Sequence, residues 1–185
     1  MSRIRRRSVV AGLGATLALG ACANPIGGDG AARLDARVDA TREHLLQTYP
    51  GTRTLMEKSH GILYMPLVSE ASFGIGGRYG RGALRIDEAT VDYYSSAGAS
   101  LGFQIGAQQF GHALFFMTEE ALAEFRRGGG WEAGGDVRYA LPDQGGSLGV
   151  DTTTQGRPVI ALVFGQSGLI AGASLRGVKY TRIIP

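Results

Sequence analysis

The sequence predicts an α+β fold, in which an antiparallel β-barrel or sandwich-like sheet carries N-terminal helices and one short inserted helix. Apolar residues recur at helical spacing between residues 31 and 49, and capping and charge signals predict a further short helix at 118–127. From His60 onward apolar and polar residues alternate with a period of two, which is typical of half-buried strands. Glycine is abundant, with 30 among 185 residues, and it separates the alternating runs as turns would.

Three helices are predicted in this arrangement. Leu34, Val38 and Leu45 place an apolar stripe on a helix over residues 31–49, with Asp29 as its N-cap. Pro50-Gly51 ends that helix, and residues 52–59 are expected to form a short second one.

The inserted helix is predicted from its ends. Thr118 is placed to cap it, and Gly128 stops it. Two acidic residues in its first turn and two arginines in its last turn match the helix dipole. Those residues are Glu119, Glu120, Arg126 and Arg127.

The strands are predicted from alternation and from apolar runs. Residues 100–108 alternate cleanly, and further strands are expected at 71–75, 84–86 and 169–175. The runs 113–117 and 159–164 are apolar throughout, as in central strands buried on both faces. The pentapeptide Ala-Gly-Ala-Ser-Leu occurs at 97–101 and 171–175, through either duplication or chance.

The glycine-rich segment 74–82 resembles a phosphate-binding loop but fails both known patterns. Tyr79 stands where the dinucleotide fingerprint needs its third glycine, and the Gly-Lys-Ser/Thr of a P-loop is absent. We therefore expect a tight hairpin here, with glycines at positive φ.

The N-terminus is predicted to be an export signal with a lipid anchor. An apolar stretch at 9–21, too short to span a bilayer, follows the basic residues Arg3, Arg5, Arg6 and Arg7. Leu19-Gly20-Ala21-Cys22 reads as a lipobox, so Cys22 would be acylated and become the new N-terminus. The arginines fit a twin-arginine signal and a general secretory signal equally well. The predicted organisation is a signal peptide over 1–21, a lipidated tether over 22–30 and a single domain over 31–185.

Charge and cysteine content narrow the functional classes. The chain has 19 basic and 16 acidic residues, but four arginines and no acid lie in 1–21. The remaining chain has 15 basic and 16 acidic side chains, so the basic face that nucleic-acid binding needs is not expected. A single cysteine excludes a disulfide framework and a Cys-based structural zinc site.

No catalytic residue, metal or cofactor is predicted. Gly98–Gly102 matches the G-x-S-x-G nucleophile elbow, but Ser100 lies inside an alternating strand pattern where the elbow requires a sharp turn. A serine hydrolase using Ser100 is kept as a minor alternative. The histidines His44, His60 and His112 have no metal-ligand spacing, and Asp151 is expected at a strand end or turn.

Four arginines are the candidates for contact with an anionic head group. Arg33 and Arg37 lie one turn apart on the first predicted helix, while Arg78 and Arg81 lie in the glycine-rich segment. Residues 29–58 carry five basic and five acidic residues, so packing of this helical segment against the sheet is favoured over lipid contact.

Several ordered motifs between residues 53 and 183 resemble the SYLF domain, found in bacterial envelope lipoproteins and in eukaryotic membrane-traffic and actin-regulating proteins. The motifs are KSHGILYMP at 58–66, FGIGGRYGRG at 73–82, ASLGFQIGAQ at 99–108, FGQSGL at 164–169 and LRG at 175–177. The resemblance implies a compact α+β fold, lipid binding and no enzymatic activity.

The anchor and the resemblance together predict a lipid-anchored protein of the bacterial envelope. It would face the periplasm from the outer membrane, since no aspartate stands next to Cys22, and would bind phospholipid or another amphiphile. The alternative is a structural or interaction protein that docks onto an envelope protein of unknown identity.

Overall fold

The computed structural model describes residues 29–128, 130–133, 137–140, 157–168, 175 and 177–185. The predicted signal peptide, Cys22, Asp151 and the strand residues 169–174 lie outside these described residues.

The three predicted helices are present. Helix α1 is Gly30–Thr48, helix α2 is Thr52–Lys58 and helix α3 is Glu119–Arg127. The apolar stripe of α1 is buried, as its spacing predicts. The two predicted caps differ, because the Thr118 side chain accepts a hydrogen bond from the Ala121 N–H at 3.2 Å, whereas Asp29 makes no side-chain cap. Asp29 instead lies 3.4 Å from the Arg33 guanidinium, and both side chains are exposed.

Two very long strands form the centre of the sheet. Strand β1 is Gly61–Ile86 and strand β2 is Ala89–Phe116, and they pair antiparallel from Ile86↔Ala89 to Gly61↔Phe116. The turn between them is at Asp87, whose φ is 54°. The predicted hairpin at 74–82 is therefore wrong, because those residues lie inside the extended strand β1 and pair with β2.

Two glycines of β1, Gly80 and Gly82, permit close packing where the β1–β2 ribbon folds back on itself. A Cβ added to Gly80 would lie 2.8 Å from the Leu67 carbonyl oxygen, and one added to Gly82 would overlap the Tyr64 carbonyl oxygen. The two halves of β1 therefore touch backbone to backbone. Register shifts after Met65 and Phe73 supply the bends this requires.

The shorter strands extend the ribbon into a curled half-barrel. Strand β5, Val159–Gly168, and strand β6, Lys179–Ile183, both pair antiparallel with β2. Strand β3, Trp131–Glu132, pairs with β6, and β4, Val137–Ala140, runs parallel to β5. The sheet order is β3-β6-β2-β5-β4 with β1 beside β2, so the predicted α+β fold with a mainly antiparallel sheet is confirmed.

The sheet has a core on each face. The ribbon folds over the inner face. On this face α3 and a group of aromatic side chains around Phe125 pack against β2 and β5. The outer face packs Val38, Leu45 and Leu55 of α1 and α2 against the same strands. Residues 113–116 and 159–164 are buried on both faces, which confirms the prediction from their continuous apolar runs.

Candidate functional site: an arginine groove and the surface beside it

A groove of about 500 Å³ lies between the N-terminal half of α1 and the outer face of β1. Arg33 and Arg37 line it from the helix, and Arg81 lines it from the strand. All three residues are exposed. Three of the four arginines predicted from the sequence are thus brought together around one concavity.

Helix α1 is held over β1 and β2 by polar contacts as well as by its apolar stripe. The Asp35 carboxylate accepts hydrogen bonds from the Thr90 hydroxyl at 2.9 Å and the Tyr93 hydroxyl at 2.8 Å. Asp39 lies 2.7 Å from the guanidinium of Arg85 on β1. With Leu34 buried beneath the helix, these contacts fix the rotation at which Arg33 and Arg37 face the groove.

The groove carries a net positive charge. Its three guanidinium groups face one carboxylate, that of Asp29, which pairs with Arg33 in an exposed contact of little strength. The N-terminus of α1 borders the groove and adds the positive end of a helix dipole. Arginine forks match the oxygens of phosphate groups, so the groove suits a phosphate-bearing ligand.

Arg78 lies apart from the groove. Its side chain is 8% exposed and its guanidinium is 3.6 Å from the Glu70 carboxylate, which also accepts a hydrogen bond from Gln108 at 2.9 Å. The separation follows from geometry, because Arg78 and Arg81 are three residues apart and residues at odd spacing on a strand face opposite sides. Side chains alternate between the two faces of a strand, so the sequence predicts this separation of Arg78 and Arg81 once the segment is known to be a strand.

An exposed apolar surface adjoins the groove on the same side of β1. Phe73, Ile75 and Tyr79 are 79%, 76% and 55% exposed, and their spacing places them on one face of the strand. Tyr79 also lines the groove, so the two surfaces are continuous. We call Phe73, Ile75 and Tyr79 the apolar patch. The alternation of apolar and polar residues predicts that Phe73 and Ile75 share one strand face, but it indicates no role for that face.

Ser100 and the potential metal ligands were the remaining sequence candidates for chemistry. Ser100 lies within β2 and pairs with Gly76, so the strand-turn-helix corner of a nucleophile elbow is absent at this serine. Across the described ranges no group of three or more His, Cys, Asp or Glu side chains is placed to hold a metal ion.

The three histidines have separate environments. His44 is exposed on α1, and His60 lies 3.7 Å from the exposed carboxylate of Glu119. His112 is fully buried, with Nε2 2.8 Å from the Tyr180 hydroxyl. Burial, with a smaller contribution from the charge of Arg78, lowers the pKa of His112 to about 3. His112 is therefore a neutral core residue at physiological pH.

The described helices include none with the length and apolar character needed to cross a membrane.

The fold and the groove together define an α+β domain with a basic concavity on the outer face of β1 beside an apolar strand face.

The family model described as "Ysc84: Las17-binding protein actin regulator" matches residues 97–182. This match agrees with the resemblance to the SYLF (Ysc84) family that the sequence motifs predicted. The match begins within β2 and ends within β6, so the motifs at 58–66 and 73–82 lie before it. The family is generally non-enzymatic. No curated protein matches the chain.

Proposed function

We propose that this chain is a non-enzymatic lipid-binding protein whose arginine groove holds the anionic head group of a phospholipid. The observation that carries the proposal is the convergence of Arg33, Arg37 and Arg81 on one groove from two separate elements. The match of residues 97–182 to the SYLF (Ysc84) family model supports a lipid-binding role.

The groove is suited to bind at a surface. Its arginines are exposed, and a flat array of head groups presents phosphates that several such side chains can reach at once. Each arginine near an anionic membrane surface is worth about 1 kcal/mol, so three together correspond to about a hundredfold in affinity.

Flotation of residues 23–185 with vesicles tests the proposal, since this piece contains every described helix and strand. We expect it to float with vesicles that contain phosphatidylglycerol and to float much less with pure phosphatidylcholine. The triple variant Arg33→Gln, Arg37→Gln and Arg81→Gln should lose about a hundredfold in affinity for the anionic vesicles.

A matched control removes the same charge elsewhere. Arg53, Arg127 and Arg157 are also exposed and do not line the groove. Their triple change to glutamine should retain most of the binding, because it leaves the groove intact. Equal loss in the two triple variants would mean that only net charge matters, and absence of flotation by the unsubstituted protein would reject lipid binding.

We further propose that acylated Cys22 anchors the domain to the bacterial envelope, at the outer membrane and facing the periplasm. The lipobox before Cys22 supports this placement. Labelled palmitate should be incorporated into the full chain in cells and not into Cys22→Ser. Separation of inner and outer membranes then tests the compartment.

A second candidate is a protein-docking role. The matched family model is described as a Las17-binding actin regulator, which is a protein-binding function. For this chain the corresponding proposal is an envelope protein partner. Failure of residues 23–185 to float with any vesicle, together with capture of one defined envelope protein by the intact chain, would favour it.

A further inference from the structure

The apolar patch lies on a part of β1 that projects beyond the place where the ribbon crosses itself. The two halves of β1 touch at Leu67 and Gly80 and again at Tyr64 and Gly82. Residues 69–79 form the bend between these contacts, and the register shift after Phe73 lies within it. The bend therefore carries Phe73 and Ile75 outward.

The exposure of these two side chains is unusual for an isolated soluble domain. Phe73 and Ile75 are each more than three-quarters exposed and are neighbours on one strand face. Contiguous apolar surface that borders polar or charged groups commonly marks an interaction site. Tyr79 lies between these two residues and the groove. The tyrosine side chain has an apolar ring and a polar hydroxyl, which suits it to a membrane-water boundary.

The positive charge of the neighbouring groove restricts the kind of partner that the apolar patch can bind. The groove beside the patch is lined by Arg33, Arg37 and Arg81, so a partner must present negative charge next to an apolar phase. An anionic bilayer has this combination, with phosphates at its surface and acyl chains beneath.

The start of the described chain supports the same partner. Asp29 borders the groove and lies seven residues after Cys22. A fully extended segment of that length spans at most about 25 Å. An acylated Cys22 would therefore keep the groove and the patch close to the membrane that holds it.

We propose that the bend of β1 is a membrane-penetrating element, in which Phe73 and Ile75 enter the acyl-chain region while the arginine groove engages head groups. This inference rests on the proposed lipid-binding function and adds an orientation to it: the outer face of β1 lies on the bilayer, and the inner face with α3 points away.

Fluorescence quenching tests the penetration directly. Residues 23–185 are prepared with Phe73→Trp and mixed with phosphatidylglycerol-containing vesicles whose acyl chains carry bromine. We expect the emission of the new indole to be quenched. Trp131, the only native tryptophan, packs against the inner core and should stay unquenched in the parent protein.

Binding measurements give a second readout. The double variant Phe73→Ser and Ile75→Ser should bind the same vesicles roughly tenfold or more weakly, because it removes two apolar side chains from the bilayer. Its preference for anionic over neutral vesicles should persist, since the three arginines remain. Ile184→Ser is the control, because Ile184 is 82% exposed and equally apolar. It follows β6, which pairs with residues 93–97 of β2, whereas Phe73 pairs with Ile105 of that strand.

The outcomes separate the two proposals. Unchanged vesicle binding by the double variant, with no quenching of Phe73→Trp, overturns the penetration while head-group binding stands. Absence of vesicle binding by the parent protein rejects the proposed function and the penetration with it. A parent dimer that becomes monomeric in the double variant with undiminished lipid binding would show that a second copy covers the patch, which also overturns the inference.

Discussion

The close contact at Gly82 provides a direct test of the folded-back ribbon. In Gly82→Ala the added methyl group would overlap the carbonyl oxygen of Tyr64 and the sulfur of Met65. The thioether can move, but the carbonyl belongs to the other half of β1 and can move only if the crossing opens. Overpacking of this kind costs about 1–3 kcal/mol, and a clash with backbone belongs at the upper end of that range.

The same strand offers a matched control at Gly77, where an added Cβ would have no neighbour within 4 Å. Alanine restricts the unfolded chain, so Gly77→Ala should leave the free energy of unfolding unchanged or raise it by about 0.4–1 kcal/mol. Gly82→Ala should lower it by about 3 kcal/mol, which corresponds to roughly 6–12 °C in the melting temperature of a domain of this size.

Guanidinium denaturation of residues 23–185, with each variant beside the parent protein, measures both values. Equal free energies of unfolding for Gly77→Ala and Gly82→Ala would refute the close crossing of the two halves of β1.

Two further predictions concern the inner core. His112 has a folded pKa of about 3 against an ordinary value of 6.5, so only the unfolded chain takes up the proton as the pH falls through this interval. The free energy of unfolding should therefore decrease by up to about 1.4 kcal/mol per pH unit below about pH 6.5. Denaturation midpoints measured from neutral to acid pH should decrease less in His112→Gln than in the exposed control His44→Gln. Parallel curves for the two variants would contradict this assignment. Phe125 is 1% exposed, with its ring centroid 4.6 Å from that of Tyr94, 4.8 Å from Phe116 and 5.5 Å from Trp131. Phe125→Ala should cost about 3–5 kcal/mol and shift Trp131 emission to longer wavelength, and a loss below 1 kcal/mol would mean that the aromatic group is not packed as described.

Local patterns predicted the helices and the most buried strands well. The spacing of Leu34, Val38 and Leu45 defines the buried face of α1 without any knowledge of the sheet. Thr118 caps α3 through a contact that spans three residues, so a short stretch of sequence contains all the information. Val159–Phe164 is apolar at every position because both faces of the sheet are covered there.

The long ribbon could not be predicted in the same way. Glycine at 74–82 is typical of turns, but here Gly80 and Gly82 permit contact between two halves of one strand, which is a tertiary requirement. The true turn at Asp87 has no glycine to mark it, although aspartate tolerates the positive φ found there better than most residues. The strands were therefore predicted to be shorter and more numerous than they are.

The candidate site was predictable in part. Helical spacing predicted that Arg33 and Arg37 lie one turn apart on the same side of α1. Their approach to Arg81 depends on how α1 lies across β1. Contacts such as Asp35 with Tyr93, 58 residues apart in the chain, determine that placement. No local pattern encodes a contact of this separation.

The pairing of β2 with three other strands has a consequence for the order of folding. Its contact with β1 begins at adjacent residues around Asp87 and extends outward one pair at a time to Gly61 and Phe116, so each new pair closes only a small additional loop. Strands β5 and β6 come from the last 30 residues and gain a partner only when β2 is in place. We expect the transition state for folding to contain the ribbon near Asp87, so that substitutions there slow folding, whereas substitutions in β5 or β6 mainly accelerate unfolding.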